Sequence, residues 1–123
     1  MNPPIFEWCK SDQDIVDFFQ AGKDAPLRVY AADFAGDNPQ KPYATWRSWG
    51  VPKNAISDTP TTDYLQAQID VYDDDPDVVD HGIKLMRDMI EKHGEITSWW
   101  GLGRDGVTGN IYSSFDCWLS INR

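Results

Sequence analysis

From Thr62 to Tyr72 the chain alternates with a period of two: Leu65, Ala67, Ile69 and Val71 on one side, Tyr64, Gln66, Gln68, Asp70 and Tyr72 on the other. Successive side chains of a strand point to opposite faces, so this segment is a strand with one face in a core and one facing water or a partner. Asp73-Asp74-Asp75-Pro76 follows at once. Early carboxylates suit a helix N-terminus, and proline is favoured in the first turn because its missing N–H costs nothing there. Val79, Ile83, Met86, Met89 and Ile90 then recur at helical spacing, with Lys84, Arg87, Asp88, Glu91 and Lys92 on the opposite side. The pattern predicts a helix from about Pro76 to His93, capped by Gly94.

The other elements are read around this pair. Ser11 before Asp12 and Asp14 predicts a helix start, and Ile15, Val16, Phe18 and Phe19 supply its apolar face up to Gly22. Leu27 to Phe34 and Tyr43 to Trp49 read as strands, separated by the breaker-rich Ala35-Gly36-Asp37-Asn38-Pro39. Gly50 to Asn54 and Asp58-Thr59-Pro60 read as turns. Tyr112 to Ile121 is a closing strand. Between Glu95 and Asn110 the pattern is ambiguous: Ile96, Trp99, Trp100 and Leu102 suit a strand, four glycines interrupt it, and Asp105-Gly106 suits a hairpin turn. The expectation is an α+β fold, a single domain over residues 1–123. Its sheet has four to five strands, mostly antiparallel or mixed, with two helices on one face, in the order α-β-β-β-α-(β)-β.

Charge narrows the partners. Eleven basic against twenty acidic residues give −9, and no Lys or Arg falls between Lys53 and Lys84. Such a surface repels phosphate, which argues against a nucleic-acid grip. Met1-Asn2-Pro3-Pro4 is neither basic nor followed by a useful apolar stretch, and no run approaches the length of a membrane helix, so a protein made in the cytoplasm is expected.

The motifs of common chemistries are weak here. Asp73, Asp74, Asp75, Asp77 and Asp80 lack the glycine and closing glutamate of a twelve-residue calcium loop. Helix capping accounts for them more simply. His81 and His93 are too far apart for a one-turn metal pair, and His93 suits the helix C-terminal dipole. Cys9 and Cys117 form no CxxC pair, and Cys117 sits on the apolar side of its strand, as a buried thiol does. Gly101-Leu102-Gly103-Arg104-Asp105-Gly106 fits GxGxxG but precedes a strand rather than a helix, so a turn or loop is expected instead of a dinucleotide site. Nothing singles out one carboxylate pair for acid–base work. No catalytic residue, metal or cofactor is expected.

Six tryptophans are more aromatic surface than a two-layer sheet of this size needs. Trp46 fits a core position. Trp49, Trp99 and Trp100 flank glycine-rich segments, and Trp118 lies opposite Phe115, Cys117 and Leu119. With Tyr64 and Tyr72 they are candidate anchors for a subunit or partner interface. A groove for an aromatic-binding ligand such as a sugar is the rival reading.

Pro42-Tyr43-Ala44-Thr45-Trp46, a proline-containing turn, Leu65-Gln66-Ala67-Gln68-Ile69-Asp70-Val71-Tyr72 and then a long helix together resemble the tail-completion, or tail-terminator, family of long-tailed phages. The resemblance runs from about Leu27 to the last strand; the tryptophan-rich stretch from Trp99 to Asn110 departs from it. It implies a virion structural protein without catalysis at the neck, where tail joins head. The subunits would form a ring, a hexamer by analogy, that stops growth of the tail-tube protein and docks the head connector. Ring closure requires two different patches on each subunit. Asp70, Asp73, Asp74, Asp75, Asp77 and Asp80 are candidates for an acidic lumen or surface past which DNA slides. Acidity and exposed aromatics suit equally a small immunity-like inhibitor that masks a basic partner. An enzyme would need a cleft with a convergent set of titratable groups.

Overall fold

The computed structural model describes residues 3–36, 39–49 and 62–122. The expected turns at Gly50–Asn54 and Asp58–Pro60 lie outside them. Two short helices, α1 (Ile5–Lys10) and α2 (Gln13–Phe19), lead into β1 (Val29–Ala31) and a 3-10 turn over Ala32–Phe34. Then follow β2 (Tyr43–Trp49), β3 (Thr62–Asp73), α3 (Pro76–Ile90), β4 (Gly94–Arg104) and β5 (Ile111–Asn122). The fold is α+β, with one mixed five-stranded sheet in the order β1-β2-β3-β5-β4. β1 runs parallel to β2, and every other pair is antiparallel.

The long strand and its helix form as the patterning dictates. Leu65, Ala67, Ile69 and Val71 are buried under α3, whose Val79, Ile83, Met86, Met89 and Ile90 are buried against them. Each large apolar side chain so placed stabilises by about 1.5–3 kcal/mol relative to exposure. Asp75 caps α3, accepting from the backbone N–H of Asp77 at 2.9 Å. Ile5, Cys9, Ile15 and Phe19 from α1 and α2 join the same core, so all three helices cover one face of the sheet.

Several expectations need correction. The helix expected from Ser11 to Gly22 is shorter, Gln13–Phe19, and a further helix, Ile5–Lys10, precedes it. Asp12 rather than Ser11 caps the second, taking the N–H of Asp14 at 3.1 Å and Ile15 at 3.3 Å, while Ser11 ends the first by donating to the Glu7 carbonyl. The strand expected over Leu27–Phe34 shrinks to Val29–Ala31, because the chain turns into the 3-10 helix. α3 ends at Ile90 with Glu91 as its cap; Gly94 instead opens β4, where a Cβ would lie 1.8 Å from the Trp118 carbonyl oxygen. The ambiguous segment is a full strand: backbone pairing with β5 outweighs the weak strand preference of Gly101 and Gly103. The glycine-rich GxGxxG stretch is therefore mostly strand. The turn from Asp105 to Asn110 closes the hairpin, with Gly109 at φ +75°, where a side chain would be strained.

Candidate interaction surface

The face of the sheet turned away from the helices is where the aromatic and polar residues collect. Backbone register builds it in rows. Tyr43, Tyr72 and Tyr112 stand side by side across β2, β3 and β5. Tyr43 and Tyr72 stack with centroids 4.8 Å apart, and Tyr72 meets Tyr112 at 6.0 Å. Gly103 ends this row on β4; a Cβ there would crowd the Tyr112 ring at 3.1 Å. Burial, with the Asp70 carboxylate as a second cause, pushes the Tyr72 phenol up to about 12, and burial raises Tyr43 too, so both stay neutral over physiological pH.

The next row is Thr45, Asp70, Ser114 and Trp100. Asp70 is only 4% exposed and survives there by hydrogen bonding. Ser114 donates its hydroxyl to Oδ1, Gln68 donates at 3.0 Å, and Thr45 donates to Oδ2 at 3.4 Å. Diagonal to it, Asp116 has a buried Oδ1 with no hydrogen-bond partner. Burial, then repulsion from Asp70, raises the Asp116 carboxyl above its ordinary value. Over these groups Gln68, Trp100, Leu102, Gly103, Tyr112 and Ser114 line an open hollow of about 480 Å³.

β4 is an outer strand of the sheet, and its large exposed residues are apolar. Trp99 is 54% exposed, Trp100 47% and Leu102 46%. Trp100 lies on the open face. Trp99 lies on the helix side opposite Phe115, where its indole N–H donates to Ser113 at 3.3 Å and the Arg87 guanidinium sits 5.3 Å from its ring centroid. The hairpin beyond ends in Val107, 94% exposed, held by the Asp105 carboxylate, which accepts from Val107 N–H at 3.0 Å and the Thr108 hydroxyl at 2.9 Å. Those bonds lower the Asp105 pKa.

The structure groups the expected interface residues only in part. Trp100 and Tyr72 belong to the tyrosine and hollow rows. Trp49 and Trp118 share another row, with Gln66 between them, and Tyr64 faces Ser120 beyond it. Trp99 points to the opposite side of the sheet. Trp46 packs against the core. The expected acidic group divides as well. Asp70 departs from a surface acid because its partners hold it inside the polar row. Asp73, Asp74, Asp75, Asp77 and Asp80 gather at the end of β3 and the start of α3, where Asp74 pairs with Lys41 at 2.8 Å and Asp73 and Asp75 cap backbone N–H groups. Sequence reasoning missed Tyr43, Tyr112, Ser114 and Asp116. Tyr112 and Ser114 share the even-numbered side of the last strand with Asp116, which its alternation shows, but their neighbours across the sheet are legible only once register is known.

The thiols of Cys9 and Cys117 are buried and pushed up to about 12 by that burial, so neither is a ready nucleophile. His93 is stacked on Trp8, centroids 3.8 Å apart, and burial lowers its pKa; it is a neutral packing ring, not the dipole-complementing cation expected from the sequence. Among the described residues no group of three or more His, Cys, Asp and Glu side chains is placed to hold a metal ion, and no helix is long and apolar enough to cross a membrane. The arrangement offers aromatic rings, a strand edge and a few fixed polar groups, which is the chemistry of contact with another macromolecule. A scan against known protein families and a search of the curated proteins both find no match.

Proposed function

We propose that this chain is a non-catalytic structural subunit of a ring at the junction of a phage tail and head, where it caps the tail tube and meets the head connector. The observation that carries the reading is the β4 edge. It is eleven residues long, carries Trp99, Trp100 and Leu102 exposed, and holds only Glu95 and Arg104 as charges. Proteins that remain single blunt such edges with charge, proline, short strands or bulges; β4 has register breaks between Ile96 and Ser98 and between Trp100 and Gly103, but its exposed large side chains are apolar. A long apolar edge left open suits a chain whose working form is an assembly. From β1 to α3 the order β-β-β-α is the part of the expected order that is present, and it supports the reading. The acids at the start of α3 suit a surface past which DNA slides, as like charge keeps phosphate from sticking.

Light scattering and electron microscopy of the purified chain, alone and with tail-tube and connector proteins, test the reading. Closed rings, six-membered by analogy, that bind the end of a tail tube are expected. A chain that stays single at high concentration and binds no tail component would overturn it and favour the acidic inhibitor, to which the exposed carboxylates near α3 also lend themselves.

A further inference from the structure

The hollow of about 480 Å³ on the open face is set up to receive hydrogen-bond donors. Gln68 and Ser114 line it, and both are committed to the buried Asp70 carboxylate: Ser114 gives it its hydroxyl proton and Gln68 one amide N–H. A hydroxyl that has given its proton keeps only lone pairs, and the Gln68 carbonyl oxygen accepts in any case. One amide N–H apart, these two side chains offer a ligand acceptors. The same place is negative. Asp116 lies on this face directly across from Gln68, and Asp70 is near enough to repel it. Among the described residues neither carboxylate makes an ion pair, and the buried Asp116 Oδ1 has no hydrogen-bond partner. No basic side chain lines the hollow. Arg47 stands on the other side of Gln68, on β2, and Arg104 gives its guanidinium to the Gly109 carbonyl at 2.8 Å. Trp100 lines the hollow with about half of its surface in water. Acceptors without donors, negative charge without a counter-charge and the ring of a half-exposed indole together call for a cation that carries several N–H groups.

We propose that this hollow seats an arginine side chain of a partner polypeptide, its guanidinium against the Trp100 ring and donating to the Ser114 hydroxyl oxygen and the Gln68 carbonyl oxygen. A guanidinium suits the place better than an ammonium, because it is planar, stacks on an indole while its edge still donates, and is more weakly hydrated. A sugar hydroxyl would leave the charge of Asp70 and Asp116 uncompensated. The arginine belongs to a polypeptide because the hollow is open and Trp100 and Leu102 beside it are 47% and 46% exposed. A chain that carries the arginine covers that apolar surface too, as the core of an interface does, whereas a small solute covers little of it. Arginine and tryptophan are the side chains in which interface affinity concentrates. The contact concerns the open face alone and does not rest on the ring reading.

Titration of the chain with an acetylated and amidated Leu-Arg-Leu peptide, followed by amide NMR, tests the proposal. Shifts should concentrate at Gln68, Gly103, Ser114 and the Trp100 indole N–H. The same peptide with citrulline in place of arginine keeps the shape and loses the charge, and should bind about tenfold more weakly. N-propylguanidinium, the bare side chain, should bind more weakly than the arginine peptide. Trp100→Ala should weaken the peptide about tenfold, and Asp116→Asn by a smaller factor because it removes only a neighbouring charge. Gln68→Lys supplies a cation of its own and should abolish binding; it decides the matter if Trp100→Ala loses its circular-dichroism signal. Citrulline or lysine peptides that bind as tightly as the arginine peptide, shifts that fall elsewhere, or a Gln68→Lys chain that binds like the parent would overturn the site. N-propylguanidinium binding as tightly as the peptide would overturn the polypeptide source. Rings of a parent chain that ignores the peptide would leave the ring reading standing and end this one, and peptide binding by a chain that forms no ring would do the reverse.

Discussion

Ser114 on β5 stands directly across from Asp70 on β3 and donates its hydroxyl to the buried carboxylate. The bond is why an acid can sit at 4% exposure on the side of the sheet turned away from α1, α2 and α3. Ser114→Ala removes a donor and leaves the carboxylate with Gln68 and Thr45 alone. A hydrogen bond to a charged group is worth about 1.5–3 kcal/mol, so the variant should lose stability in that range. Urea unfolding reads it directly. A midpoint unchanged from the parent would mean that water replaces Ser114 without loss.

Asp116 makes the opposite case. Its carboxyl is raised by burial and by Asp70, and its Oδ1 has no partner. A raised carboxyl means that the folded chain holds its proton to higher pH than the unfolded chain does. Its contribution to stability is present below the ordinary value of 3.8 and is lost as pH rises through the folded value. At neutral pH the charge therefore opposes folding. Asp116→Asn should raise the unfolding midpoint at pH 7, by an amount on the order of 0.2–1 kcal/mol for a partly exposed charge. The gain should vanish when the solution is acid enough to protonate the parent. A variant less stable than the parent at pH 7 would show that the carboxylate is an acceptor after all.

His93 gives a second dependence on pH, with the reverse sign. Burial, and then repulsion from Lys92, lowers its pKa from 6.5. In the window between 6.5 and that lower value the unfolded chain binds a proton that the folded chain refuses. Stability is full above 6.5 and falls as pH drops through the folded value. His93→Phe keeps the stacked ring without the titration. Its unfolding midpoint should be flatter than the parent's on moving from pH 7.5 to 5.5. Identical slopes for the two chains would remove His93 as the cause.

Much of this was legible in the sequence because burial leaves a periodic trace. Leu65 to Val71 and Val79 to Ile90 each bury one side, and their periods of two and 3.6 residues identify strand and helix directly. The segment from Gly94 to Arg104 left no such trace. Its residues are nearly all exposed, so no alternation is imposed, and register shifts fall between Ile96 and Ser98 and between Trp100 and Gly103. Backbone pairing to β5 decides its conformation, and pairing is not written in side-chain order. The same holds for the polar row: Thr45, Asp70 and Ser114 are far apart in the chain and meet only through register. Ile5 and Cys9 were missed as a helix because six residues are too short for a stripe.

Glycine separates the structural from the tolerant positions of β4. A Cβ on Gly94 would stand 1.8 Å from the Trp118 carbonyl oxygen, and backbone cannot step aside as a flexible side chain can. Overpacking of that kind costs about 1–3 kcal/mol or more, so Gly94→Ala should unfold at markedly lower denaturant. Gly101 has nothing within 4 Å of the corresponding point and no positive φ. Gly101→Ala restricts the unfolded chain and should be neutral or stabilising by about 0.4–1 kcal/mol. Equal losses at both positions would mean that β4 tolerates no side chain beyond those it has.

The core and the surface should respond oppositely to charge and truncation. Ile69 is fully buried between α3 and the sheet, so Ile69→Asp places an unpaired carboxylate where no donor reaches it. The chain should fail to fold, since an isolated buried charge costs far more than the roughly 5–15 kcal/mol that holds a domain together. Trp100 sits on the open face with half its surface in water, and its backbone carbonyl, not its ring, receives the Ser113 hydroxyl at 2.8 Å. Trp100→Ala therefore keeps that bond and should retain the parent's circular dichroism. If the open face meets a partner, the variant loses binding to tail components while its unfolding midpoint stays within about 0.5 kcal/mol of the parent, as surface substitutions do. A Trp100→Ala chain that melts early would instead make the indole a structural cover for the tyrosine row, and its exposure would no longer count toward an interface.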